Sequence, residues 1–92
     1  RNGMAIYLDT ETTGFSPNQG AGIVEVAIVD ERGVTLIDTL VDPDHPIPWA
    51  VSNIHGISDA MVRGMPILAN LMPEIRRIVA GQRVVIARSI LA

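Results

Sequence analysis

The stretch Tyr7-Leu8-Asp9-Thr10-Glu11-Thr12-Thr13-Gly14-Phe15 decides how the chain is read. Asp9 and Glu11 stand two positions apart where an apolar run ends, so in extended backbone both carboxylates leave on one face. Two close anions repel. A divalent cation with oxygen ligands offsets that repulsion and accepts both groups. Thr12, Thr13 and Gly14 then form a tight turn rich in hydrogen-bond donors. An Asp-X-Glu at a strand end is more often a solvated turn when judged on spacing alone. With the turn beside it, the pair reads as a metal-dependent, phosphate-handling site.

Outward from that stretch, the pattern predicts a first strand over residues 4–10, with Met4, Ile6 and Leu8 on one face and Ala5, Tyr7, Asp9 and Glu11 on the other. Phe15 to Gly22 reads as a loop. Ile23 to Asp30 is so evenly apolar that it predicts a strand buried on both faces, Glu25 excepted. Asp30-Glu31-Arg32-Gly33 is turn chemistry, and Val34 to Val41 should return antiparallel, completing a three-stranded meander. Three prolines between Asp42 and Pro48 exclude both ladder and helix and make a rigid connector. Pro48 opens a short helix through Ile54 that stops at His55-Gly56, and Ser58 or Asp59 caps another that ends near Gly64. Leu68, Leu71, Met72, Ile75, Ile78 and Val79 then fall at helical spacing, predicting a helix from Ile67 to Ala80 with one buried stripe, kinked at Pro73 or carrying it in the first turn. Residues 83–87 form a fourth strand, which the long crossover allows to run parallel to the first. The expected fold class is therefore α/β, in a single domain spanning 1–92.

A chain of 92 residues buries only roughly two-thirds of its unfolded surface. Its 48% hydrophobic content and mean hydropathy of +0.32 therefore imply apolar faces that need covering by further chain or a partner. A net charge of −3 argues against a broad electrostatic footprint for duplex DNA, so nucleic acid would be held locally. The absence of cysteine excludes disulfides, thiolate metal sites and thiol catalysis, and fits a cytoplasmic location. No apolar run approaches the ~18 residues of a membrane span, and no secretory leader is evident.

Asp9-Thr10-Glu11-Thr12-Thr13-Gly14 resembles the first motif of the DEDD-type 3′-to-5′ exonucleases, the family of proofreading polymerase subunits, ribonuclease T and oligoribonuclease. Ile23-Val24-Glu25-Val26-Ala27 is similar to the family's second strand, Asn53-Ile54-His55-Gly56-Ile57-Ser58 to its connector, and residues 83–87 to the approach to its second motif. The resemblance implies a ribonuclease H-like mixed sheet: the antiparallel meander plus a fourth strand parallel to the first. It also implies two Mg2+ or Mn2+ ions in complete relatives, with Asp9 bridging them and Glu11 on one, and water attacking the terminal phosphodiester. Thr12, Thr13 and Gly14 would help seat the 3′-terminal nucleotide of single-stranded DNA or RNA, with Phe15 packing near its base. Where relatives carry a His-Asn-Ala-like stretch and then a metal-binding Asp, this sequence has Arg88-Ser89-Ile90-Leu91-Ala92. The later His base and final Asp are not found either. The resemblance thus covers the N-terminal half of an exonuclease domain, a truncated fold expected to be weak or inactive alone.

The competing expectation is a non-catalytic remnant whose uncovered apolar surface drives self-association, as a homodimer or with a completing chain, and which at most binds metal or nucleotide weakly. Several residues carry plain readings. Glu25 is either a buried carboxylate near the metal site or a strand-edge residue reaching solvent. His55 could touch a nucleotide, but before a helix-ending glycine it reads rather as capping or packing, and His45 reads as a loop residue. Trp49 could stack on a base, but its place at the start of an apolar helix favours packing. Arg76 and Arg77 could contact phosphate, but on the polar side of the helical stripe they read rather as a solvated face. Arg88 is either a phosphate contact or ordinary tail.

Overall fold

A computed structural model describes residues 3–14 and 22–87. Three strands come first, β1 (Ala5–Thr12), β2 (Ile23–Asp30) and β3 (Thr35–Leu40). Three helices follow, α1 (Trp49–His55), α2 (Asp59–Val62) and α3 (Leu68–Val79), and then β4 (Arg83–Ala87). The strands form one sheet in the order β3-β2-β1-β4, with β1 antiparallel to β2 and parallel to β4. This is the mixed sheet of a ribonuclease H-like fold, and β1 is interior to it.

Local chemistry explains the corners. Between β2 and β3 the Asp30 carboxylate accepts the amides of Arg32 (2.8 Å) and Val34 (2.9 Å), and Gly33 takes the positive φ of 82° that the reversal requires. Helix α1 ends on Gly56 at φ 77°, whose amide donates to the Ser52 carbonyl at 2.7 Å. Ser58 caps α2 by accepting the amide of Met61.

Register sorts the two faces of the sheet. Leu8 pairs with Ile28 and Thr10 with Val26, whereas Tyr7, Asp9 and Glu11 pair with Val29, Ala27 and Glu25. The first set faces the core, where Ile6, Val24, Val26 and Ile28 are fully buried. A cluster of Val24, Ile47, Val51, Ile57 and Val62 lays the connector, α1 and α2 over the Val24 end of the sheet. That end is also where β1 runs into its turn.

Some expectations need correction. Strand β2 is not buried on both faces: Val24, Val26 and Ile28 are buried, while Ile23, Glu25, Ala27 and Val29 are half-buried. Antiparallel pairing on both sides gives it the alternation of a sheet with one covered face. The stripe of α3 is half-buried, with no residue of the helix fully buried, since the described elements supply too little apolar surface to cover it. Pro73 lies inside that helix, beyond its first turn. Trp49 does not pack; it is 77% exposed, because Val51 is the residue of α1 that turns inward. Arg76 and Arg77 are exposed as expected, with Arg77 paired to Glu74 one turn away. Phe15 and Arg88 lie outside the described residues.

Candidate active site

Strand β1 carries both acidic residues of the first motif at its C-terminal end. Asp9 is the last residue of the parallel register, opposite Ala87, and Glu11 lies opposite Glu25. Their two-residue spacing in continuous strand puts both side chains on the face away from the core. Asp9 is exposed and Glu11 half-buried.

The face holds more carboxylates than the motif alone. Across it the rows run Asp9, Ala27, Asp38 and then Glu11, Glu25, Leu40. Glu25 therefore faces Glu11 directly and has Asp9 and Asp38 on its two diagonals, within reach across a pleated sheet. Its carboxyl is pushed above the usual glutamate range, first by burial, then by Asp38, Glu11 and Asp9, with an opposing pull from His55 only when that ring carries its second proton. Because β2 runs between β3 and β1, Glu25 is not on an edge strand, although its half-buried side chain still reaches solvent. Its place in the row follows from the register, which the sequence alone does not specify.

Beyond Glu11 the pairing register shifts, and Thr12 opposes Ile23. Thr13 is buried and clasped to Gly22: its amide donates to the Gly22 carbonyl at 2.8 Å, and its hydroxyl accepts the Gly22 amide at 2.8 Å. The Thr12 hydroxyl donates to the Gly14 carbonyl at 2.8 Å. Two of the donors that made this turn look like a ligand seat, the Thr12 hydroxyl and the Thr13 amide, are thus spent on the turn and its clasp. Thr12 and Gly14 remain half-buried at its surface.

Reading the sequence as capping or packing missed the reach of His55. Its Nδ1 accepts the Ile57 amide at 3.0 Å, and its Nε2 lies 3.1 Å from the Thr12 carbonyl, 43 positions away in the chain. The only sequence signal was the His-Gly pair that closes α1.

Asp9 and Glu11 are hard oxygen donors of the kind Mg2+ or Mn2+ takes, and a cation between them would relieve the repulsion felt by Glu25. They fit part of such a site. Among the described residues no group of three or more His, Cys, Asp or Glu is disposed to hold a metal ion. Also among the described residues, no helix is long and apolar enough to cross a membrane.

The family model for exonucleases of the RNase T type matches residues 6–92. The chain belongs to that exonuclease family. It is 46% identical over 61 residues to "Uncharacterized exonuclease CP81" of Escherichia phage 186, an alignment covering 66% of this chain and 30% of the phage protein. It is 41% identical over 81 residues to the "DNA polymerase III subunit epsilon-like protein" of Rhodobacter capsulatus, covering 83% of this chain and 12% of that one. Among solved structures, "Exonuclease X in complex with 5' overhanging duplex DNA" superposes with a TM-score of 0.64 at 40% identity, covering 78% of this chain and 43% of the other. The chain spans about a third or less of the length of these two relatives.

Proposed function

We propose that this domain serves 3′-to-5′ hydrolysis of single-stranded nucleic acid, and that the 92-residue chain alone supports the reaction weakly or not at all. The reading is carried by one observation: Asp9 and Glu11 share the outer face of an interior strand, immediately before the clasped Thr12–Gly14 turn. Bound divalent cations would activate water and stabilise the leaving oxygen. Asp9 and Glu11 would hold them, while Thr12 and Gly14 would border the seat of the 3′-terminal nucleotide. Thr13, being buried, would shape that seat rather than touch the nucleotide. The Exonuclease X complex supports DNA as a substrate class.

A labelled single strand incubated with Mg2+ or Mn2+ tests this, using the chain as it stands and a version extended by the second half of a family member. Shortening from the 3′ end in the extended protein, abolished by Asp9→Ala and by Glu11→Ala, is the expected result. Undiminished shortening in either variant would overturn the assignment.

A second reading has an observation of its own. Among the described strands β4 lies at an edge of the sheet and exposes Val84, Val85 and, at 70%, Ile86, while the α3 stripe is only half-buried. Such surface favours a self-associating, non-catalytic protein. Light scattering at the mass of a dimer or larger, with no shortening in either version, would support it.

A further inference from the structure

His55 occupies an unusual junction. It is the last residue of α1, and Gly56 follows in the left-handed conformation, turning the chain so that the Ile57 amide points back at the ring. A backbone amide can only donate, so Nδ1 must be the accepting, unprotonated nitrogen. In the neutral ring the proton then resides on Nε2, which donates it to the Thr12 carbonyl at 3.1 Å.

The Thr12 carbonyl and the Thr13 amide belong to one planar peptide unit. Its oxygen is held by His55 and its N–H by the Gly22 carbonyl at 2.8 Å. That unit sits one residue past Glu11, just after the register shift that ends regular β1–β2 pairing. Without a restraint on the carbonyl, the plane could turn about its flanking dihedrals and carry both the Glu11 backbone and the turn with it. We infer that His55 is a positioning residue of the site: locked by the Ile57 amide as the Nε2–H tautomer, it pins the Thr12–Thr13 peptide from α1. It touches no reacting group and acts only through Thr12. Its role in turnover rests on the exonuclease reading given above; the pinning does not.

Two substitutions separate the halves of the contact by reach. In Asn, Oδ1 stands where Nδ1 stands in His, so His55→Asn keeps an acceptor for Ile57 and loses Thr12. In Gln, Nε2 stands near the position of the histidine Nε2, so His55→Gln keeps a donor for Thr12 and loses the Ile57 acceptor. Nitrogen-15 spectra of the 92-residue chain above neutral pH should show an Nε2–H imidazole. The carbonyl-carbon resonance of Thr12 should move in His55→Asn and stay near its original place in His55→Gln. In the extended enzyme, His55→Asn should raise KM for the 3′ end about 3- to 10-fold, the scale of one hydrogen bond, with His55→Gln between it and the parent. An Nδ1–H tautomer, or a Thr12 carbonyl indifferent to His55→Asn, would overturn the inference. So would a KM that follows thermal stability across the variants rather than the Thr12 contact. If the extended protein proves inactive, the exonuclease reading fails while the two spectroscopic outcomes still decide for or against the pinning.

Discussion

Glu25 lies directly opposite Glu11 in the antiparallel β1–β2 pair, so two carboxylates meet on the outer face with Asp9 and Asp38 at the diagonals. Like charges in that position destabilise a sheet. The fold keeps the conflict at the place where a cation would resolve it, and its cost can be measured.

The first consequence concerns pH. Glu25 binds its proton more tightly in the folded protein than in the unfolded chain, since burial and neighbouring carboxylates raise its value above the ordinary 4.5. The contribution of this group to stability is thus fully present below that value and is lost as pH rises through the elevated folded value. Urea denaturation in chelator should show this decline in the parent protein and a flatter profile in Glu25→Gln. Adding Mg2+ should flatten the parent's profile too, by favouring the ionised carboxylates.

The same crowding sets stability against activity at Asp9. In chelator, Asp9→Asn should raise the unfolding free energy slightly, by no more than about 0.5 kcal/mol, because Asp9 is exposed and only diagonal to Glu25. In the extended enzyme it should lower the rate of 3′ shortening by more than about 100-fold, a larger loss than removing a supporting residue around a metal causes. Parallel denaturation and turnover measurements check the opposite signs.

Thr13→Val retains the shape of the side chain and removes the acceptor for the Gly22 amide. A buried amide left without its partner costs about 1–3 kcal/mol, and the half-buried Gly22 amide should fall at or below the lower end of that range. Calorimetry should register that loss, and amide exchange at Gly22 should accelerate.

Trp49→Ala should change the unfolding free energy by no more than about 0.5 kcal/mol, since the ring is 77% exposed. Its intrinsic fluorescence should already emit at the wavelength of a solvated indole before denaturant is added.

What was legible in the sequence follows from local rules. The alternation of β1, the Asp30–Gly33 reversal, the glycine closing α1, the Ser58 cap and the helical spacing of α3 each depend on neighbours a few residues apart. The Asp9 and Glu11 pair was legible for the same reason, because two-residue spacing in a strand dictates a shared face. Apolarity misled in three places: the second face of β2, the α3 stripe and Trp49. Burial depends on what another element places opposite, and hydrophobic residues carry no label for that.

The sequence by itself determined the element order, the mixed-sheet class, and the strand and turn that carry the first-motif acids. Only the tertiary structure decided that Glu25 faces Glu11, that Thr13 is spent on Gly22, and that His55 reaches across 43 positions to Thr12. Strand register and helix docking bring those partners together. Both are set by packing distant segments around Val24, Val51 and Ile57, so no local window of sequence contains them.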